Sequence, residues 1–240
     1  MSAINAVDRQ TWLAARKELL AEEKAFTRAQ DAMHAKVRDL PWVKVDNAYA
    51  FDTEDGPKTL SDLFDGASQL MTYHFMFGPT WEEGCPSCSL CADGFDSVHI
   101  HLRARDVKLV AVSRGALHKL LPYKARMGWS FDWVSSEPSS FNKDFCVSFD
   151  EDDRIEGEVT YNYRRSRFPS DEAPGISVFK KTEDGAIYHT YSSYGRGLDR
   201  LLLVYRFLDV APDGRNEDSL EFPMAWVRRH DRYDQSVGTS

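Results

Sequence analysis

Three cysteines lie within seven residues near the middle of the chain: Cys85, Cys88 and Cys91. Cys85 and Cys88 form a Cys-Pro-Ser-Cys motif, whose spacing lets the second thiol reach back to the first. A thiol in the first turn of a helix lies near free backbone N–H groups and the positive end of the helix dipole, which favour the reactive thiolate. We therefore expect Cys85 to attack a disulfide and Cys88 to resolve the mixed disulfide.

Other chemistry remains open for this Cys-x-x-Cys-x-x-Cys run. An iron–sulfur cluster needs a fourth cysteine soon after Cys91, whereas Cys146 is distant. A zinc site needs a histidine from His74, His99 or His101. His74 is alternatively a proton acceptor for the second thiol, but a hydrogen-bonded core histidine is favoured. Buried, unreactive thiols are the last alternative, with Cys91 expected to be a small buried residue. We predict no metal and no cofactor.

The motif stands between a predicted buried strand and a predicted helix. Residues 69–77 are apolar and aromatic and end at Gly78-Pro79, as expected of a central strand. The helix is predicted to continue to about residue 105. The remaining predictions are strands at 106–113, 131–134 and 145–149, a strand pair at 48–66, helices at 115–128 and 197–208, an exposed insertion at 150–175 and a hairpin at 176–194. This order predicts an α/β fold with a mixed sheet.

A downstream loop completes the predicted site. Thioredoxin-type sites place a cis-proline loop beside the two thiols, and Pro174, just before an apolar strand, suits that role, with an ordinary trans turn as the alternative. Tyr191, Tyr194 and Arg196 belong to an aromatic, polar segment that we predict to wall a substrate pocket, although a half-exposed strand explains it equally well. Trp81, just before the motif, is predicted to contact substrate with them.

Several stretches resemble one known family. They are YHFMFGPTWEEGCPSCS, CADGFD, VSRGALHKLLPYKARMGWSFDWVSS, FNKDF, YHTYSSYGRG and YRFLDVAPDGRNE. Together they cover about residues 10–220 and resemble the bacterial domain of unknown function 899, described as a predicted dithiol–disulfide oxidoreductase. The resemblance implies a thioredoxin-like fold with a peroxiredoxin-type layout. Two positions depart from those folds: Gly84 precedes the first cysteine, where thioredoxins usually carry Trp, and Glu82 stands where peroxiredoxins carry Thr.

Length and charge limit the domain organisation and the partners. The chain has 240 residues, enough for one large core, and a net charge of −8, which disfavours nucleic acid and anionic membranes. No apolar run approaches the ~20 residues of a membrane-spanning helix. We predict an N-terminal helical extension at 1–42, a thioredoxin-like domain at 43–212 and a polar, loosely held tail at 213–240.

The remaining expectations concern location and assembly. The first residues lack the pattern of a signal peptide, and clustered cysteines favour redox chemistry in the cytoplasm. Residues 8–38 are predicted to form an amphipathic helix, capped by Asp8 and ended by Pro41, that packs on the domain or on a second copy in a homodimer. The expected partner is a protein or small-molecule disulfide, with an electron donor that the sequence does not identify. The alternatives are a metal- or ligand-binding protein on the same scaffold, or a structural protein with unreactive thiols.

Overall fold

The computed structural model describes residues 5–233, which fall into two units that divide after Pro41. The first unit is a single long helix, α1 (Arg9–Arg38). The predicted cap is confirmed, since the Asp8 carboxylate accepts the backbone N–H of Thr11 at 2.9 Å. Exposed apolar side chains recur every seven residues along the helix, at Trp12, Leu19, Phe26 and Met33. Pairing of two copies through α1 stays a prediction.

An eight-stranded mixed sheet is the frame of the second unit. The strands of this unit are β1 (Val43–Lys44), β2 (Ala50–Thr53), β3 (Gly56–Thr59), β4 (Gln69–His74), β5 (Val107–Ser113), β6 (Asp132–Ser135), β7 (Glu158–Tyr161), β8 (Arg164–Arg167), β9 (Gly175–Lys181) and β10 (Ile187–Tyr194). The sheet order is β1-β10-β9-β4-β5-β6-β2-β3, and β7 and β8 form a separate hairpin. Strands β4, β5 and β6 are parallel, whereas β9 runs antiparallel to β4.

Five helices complete the second unit: α2 (Pro86–Ala92), α3 (Phe95–Arg103), α4 (Leu117–Arg126), α5 (Phe141–Asp144) and α6 (Leu203–Leu208). The chain passes from β4 through α2 and α3 to the parallel strand β5, and later through the β9–β10 hairpin to α6. The four strands β10-β9-β4-β5 thus have the connectivity of a thioredoxin-like domain, with further strands at both edges. The predicted fold class is confirmed.

The sheet separates two apolar cores, because successive side chains of a strand point to opposite faces. Tyr73 and Ala111 enter the core that also holds the cysteines and packs against α2, α4 and α6. Leu70 of β4 and Val110 of β5 point to the opposite face and enter the other core, together with side chains of β2, α5 and β7. Cys85, Cys88 and Cys91 therefore lie on one face of the sheet only.

Three predicted elements differ from the structure. The helix after the cysteine motif is two helices, α2 and α3, separated at Asp93 and Gly94. Residues 145–149 form no strand, and only Ser148 pairs in a single bridge, with Glu172. The helix predicted at 197–208 begins as a 3₁₀ helix (Gly195–Leu201) and becomes α-helical at α6.

Two segments that were expected to be exposed are packed. The insertion at 150–175 contains β7, whose alternating Val159 and Tyr161 are buried in the second core. The C-terminal segment carries Val227, which is 3% exposed, and Glu217, which accepts hydrogen bonds from Tyr205 and Trp226. The expectation of a loosely held tail is therefore wrong for residues 213–233, and residues 234–240 lie outside the described part. Within residues 5–233, no helix is both long and apolar enough to cross a membrane.

Candidate active site

Cys85 stands where strand and helix meet, as the motif predicts. After β4 the chain crosses a short loop and returns, so that the N–H of Cys85 donates to the carbonyl of Met76 at 3.0 Å. Cys85 is the N-cap residue of α2 and Pro86 is its first residue, a position where the missing proline N–H costs nothing. The free backbone N–H groups of this first turn therefore surround the Cys85 sulfur.

Close packing explains the glycine before the first cysteine. A Cβ atom at Gly84 would lie 2.6 Å from the ring of Phe75 and 3.2 Å from the ring of Tyr123. Real side chains do not approach so closely, so the loop reaches Cys85 only with glycine at this position. The departure from the Trp of thioredoxins is a consequence of these two aromatic rings.

The surroundings of Cys85 favour its thiolate. The Cys88 thiol donates a hydrogen bond to the Cys85 sulfur, and this is the main reason why the pKa of Cys85 falls to about 7. Burial opposes the fall, while the backbone N–H groups of Cys88 and Ser87 and the charge of Arg229 support it. Cys85 is partly exposed, so the thiolate is accessible to a substrate.

The other two thiols of the run are held protonated. Cys88 is 1% exposed, and burial together with the neighbouring Cys85 raises its pKa well above the usual range. Cys91 is 2% exposed, and burial raises its pKa to about 12. The Tyr73 hydroxyl contacts both sulfurs and lowers both pKa values, though less than burial raises them. The site thus contains one thiol that favours the thiolate and two that are protonated, and the expected burial of Cys91 is confirmed.

A cavity of about 1090 Å³ opens in front of the thiols. Cys85, Cys88 and Cys91 line one side of it. The chain after β10, including the 3₁₀ helix and residues 213–224, lines the other side. Among the described residues that line the cavity, six are acidic and two are basic. The cavity gives a substrate a route to Cys85.

Pro174 lines this cavity beside the cysteines, but its peptide bond is trans. The expectation of a cis bond is wrong. The residue before it is held in extended pairing, since Ala173 donates its N–H to the Val147 carbonyl at 2.8 Å. The Tyr161 hydroxyl donates to the carbonyl of Pro174 at 2.8 Å, so this carbonyl already has a hydrogen-bond partner.

The other predicted substrate contacts are dispersed. Arg196 lines the cavity, with a side chain that is 87% exposed and paired with Asp199 at 3.2 Å. Trp81 packs against the first core, and Tyr191 lies in β10 opposite Val178; neither is among the described residues of the cavity wall. Tyr194 is 7% exposed, and its hydroxyl donates to the carbonyl of Phe145 at 3.1 Å. The structure thus places Pro174 and Arg196 in the wall of the cavity that the thiols line, whereas the three aromatic side chains are not among its described lining residues.

His74 lies on the opposite face of the sheet from the cysteines. It is 1% exposed and shares a hydrogen bond of 2.8 Å with the Ser177 hydroxyl, so the prediction of a core histidine is confirmed. Burial lowers its pKa to about 3, and the ring is therefore neutral. Among residues 5–233, no three His, Cys, Asp or Glu side chains are grouped so that they could hold a metal ion.

Sequence reasoning missed the contribution of the C-terminal segment. Arg229 reaches the loop before Cys85, and residues 213–224 form a wall of the cavity. A signal for this packing was present in Phe222-Pro-Met-Ala-Trp-Val227, an apolar run inside an otherwise polar stretch. No local pattern indicates the partner of Arg229.

Several solved structures are similar to this fold. Peroxidoxin BcpB from Mycobacterium tuberculosis is 13% identical, with a TM-score of 0.46 over 70% of this chain and 97% of that one. Peroxiredoxin Q from Xanthomonas campestris is 14% identical, with a TM-score of 0.44 over 69% and 96%. A protein from Chlorobium tepidum, described as thiol:disulfide interchange protein DsbE, is 13% identical, with a TM-score of 0.41 over 69% and 97%. No curated protein matches the chain in sequence. The family described as "Bacterial protein of unknown function (DUF899)" matches residues 1–233.

Proposed function

The chain belongs to the DUF899 family of bacterial proteins, and we propose that it is a thiol–disulfide oxidoreductase in which Cys85 is the nucleophile and Cys88 the resolving thiol. The observation that carries this proposal is the difference between two neighbouring thiols. Cys85 is partly exposed, with a pKa lowered to about 7, whereas Cys88 is buried and protonated beside it. This is the division of roles that thiol–disulfide exchange requires.

In the first step, the Cys85 thiolate attacks one sulfur of a substrate disulfide in the cavity. A bond forms between Cys85 and that sulfur, the substrate S–S bond breaks, and the second substrate sulfur leaves as a thiolate that takes a proton from the solvent. The backbone N–H groups of Ser87 and Cys88 stabilise the attacking anion before the step.

In the second step, Cys88 attacks the Cys85 sulfur of the mixed disulfide. The negative charge of Cys85 disappears in the mixed disulfide, and with it one of the two causes that raise the pKa of Cys88. Cys88 gives its proton to the leaving substrate thiolate. A Cys85–Cys88 disulfide remains, and two electrons and two protons have passed to the substrate. A dithiol donor then restores the reduced pair.

The substrate class in this proposal is a protein or small-molecule disulfide that fits the open cavity. All four cysteines are free thiols, which suits a reducing compartment, and the proposal places the reaction in the cytoplasm. The buried Cys91, whose pKa is raised to about 12, takes no part in this scheme.

Reduction of hydroxyethyl disulfide, a neutral small molecule, by dithiothreitol with catalytic amounts of protein tests the proposal. Cys85→Ser is expected to abolish the catalysed rate, and Cys88→Ser is expected to accumulate a mixed disulfide at Cys85 that mass spectrometry detects. Cys91→Ala is the matched control, because it removes a buried thiol of the same run and is expected to retain turnover. Full activity in Cys85→Ser would show that the assignment is wrong.

A further inference from the structure

The C-terminal segment places one arginine directly against the loop before Cys85. Arg229 is 15% exposed and makes three separate contacts with its guanidinium group. Its Nη2 donates to the carbonyl of Gly84 at 2.7 Å, its Nε donates to the Tyr123 hydroxyl at 2.9 Å, and its Nη1 pairs with Glu83 at 3.0 Å. A flexible side chain held at two points on the loop and at a third on α4 has a defined position.

A second connection runs from the same arginine to the first turn of α2. The Ser89 hydroxyl donates to the carbonyl of Cys85 at 2.9 Å, and it also lies 2.9 Å from the Tyr123 hydroxyl. Because the serine proton is used on Cys85, the Tyr123 hydroxyl donates to Ser89 and accepts from Arg229. The hydrogen bonds therefore run in one direction from Arg229 to the backbone of Cys85, and aligned bonds of this kind reinforce one another.

Glu83 is the counter-charge in this cluster. Its carboxylate contacts three guanidinium groups, those of Arg126, Arg229 and Arg232. The hydrogen bond from Arg126 is the main reason why the pKa of Glu83 lies below its usual range. Glu83 is therefore ionised at neutral pH. It partly neutralises the arginines that approach the loop, and it stands two residues before Cys85.

We propose that Arg229 is a positioning residue for the Cys85 thiolate, fixing the loop at Gly84 and presenting positive charge to the sulfur, while Glu83 moderates that charge. The ionisable groups that bear on the sulfur are Cys88 from α2, Tyr73 from β4 and Arg229 from the C-terminal segment. Glu83 acts on it through Arg229, and shares its charge with Arg126 and Arg232. The inference rests on the proposed function for the role of Cys85, and it adds that the C-terminal segment controls how reactive that thiol is.

Removal of the positive charge and removal of the negative charge are expected to change the alkylation rate of Cys85 in opposite directions. Arg229→Gln removes a positive charge and the hydrogen bond to Gly84, so the thiolate is less favoured. Because a more basic thiolate is also a better nucleophile, the net slowing of Cys85 alkylation by iodoacetamide at pH 6 is expected to be about twofold to threefold. Glu83→Gln removes the negative charge and leaves Arg229 less neutralised, so alkylation at the same pH is expected to accelerate about 1.5-fold, the gain in thiolate being partly offset by its lower nucleophilicity. A merely structural role for the cluster predicts slower or unchanged reaction in both variants, not changes of opposite sign.

Arg228→Gln is the matched control. This neighbouring arginine donates to the carbonyls of Ala225 and Val227 instead of the loop, and its removal is expected to leave the alkylation profile of Cys85 unchanged. Arg229→Lys keeps the charge but loses the planar fork, and it is expected to recover part of the rate. Circular dichroism and the melting temperature of each variant show whether it is folded.

The measurement is the pH profile of Cys85 alkylation, followed by peptide mass spectrometry from pH 5 to about pH 9, a span that contains the titration of ordinary and lowered thiols. An unchanged profile in folded Arg229→Gln, or a slower reaction in folded Glu83→Gln, would overturn the inference. Failure of the proposed function looks different, because Cys85 of the unsubstituted protein would then titrate like an ordinary thiol. Iodoacetamide needs no disulfide substrate, so the result does not depend on turnover.

Discussion

Cys85 should react with iodoacetamide at lower pH than an ordinary thiol does, because a larger fraction of it is thiolate. With a pKa of about 7, about half of Cys85 is thiolate at pH 7, against about 3% of a free cysteine with a pKa near 8.5. A thiolate of lower pKa is also a weaker nucleophile, by about fivefold over this interval. The expected net advantage is therefore about sixfold at pH 6 and about threefold at pH 7, and it reverses above about pH 8.

Differential alkylation with peptide mass spectrometry measures these rates for each cysteine separately. Partial burial of Cys85 changes the absolute alkylation rate but does not move the midpoint of its pH profile, which we expect near pH 7. Cys88→Ala removes the main hydrogen-bond donor and should move the midpoint to higher pH, whereas Cys91→Ala should leave it in place. A midpoint near that of free cysteine, or faster alkylation of Cys88 than of Cys85, would refute the electrostatic reasoning.

Three further predictions concern packing, pH and substrate charge. Gly84→Ala brings a Cβ within 2.6 Å of the Phe75 ring and should cost about 1–3 kcal/mol of unfolding free energy, measured by urea denaturation; no loss would show that the loop can move. Burial holds His74 neutral, with a pKa of about 3. The unfolded chain therefore binds the extra proton below about pH 6.5, and stability should fall by about 2 kcal/mol between pH 6.5 and pH 5 because of this group. Urea melts should show a smaller decline in His74→Gln, and an identical decline would contradict the buried neutral ring. Because six acidic and two basic described residues line the cavity, the dication cystamine should be reduced faster than the dianion dithiodiglycolate at low ionic strength, with the ratio falling as salt is added. Equal rates at low salt would show that the wall does not select by charge.

The position of Cys85 at the start of α2 could be predicted because its causes are local. An apolar run predicts the strand β4, and the Cys-Pro-Ser-Cys motif carries its own helix start in Pro86. The asymmetry of Cys85 and Cys88 follows from the helix direction, which exposes the first and buries the second. These features depend on a few neighbouring residues, and the structure contains all of them.

The rest of the site depends on contacts that no local pattern contains. Arg229 and Gly84 are separated by 145 residues in the chain. The mostly polar segment 213–233 resembles a loose tail in the sequence, although Glu217, Val227 and Arg229 hold it to the domain. Ala173, just before Pro174, pairs with Val147, which lies in a segment with no strand of its own. Tyr194 is an aromatic residue of the kind that often lines a pocket, but the alternation of side chains along β10 points it into the second core.

The most direct test of the account is a redox titration of the whole protein in buffers of reduced and oxidised dithiothreitol, with the disulfides located by peptide mass spectrometry. The account predicts a single two-electron transition in which Cys85 and Cys88 become bonded to each other, while Cys91 and Cys146 stay free. Oxidation that leaves Cys85 unpaired, or that joins Cys88 to Cys91 instead, would contradict it.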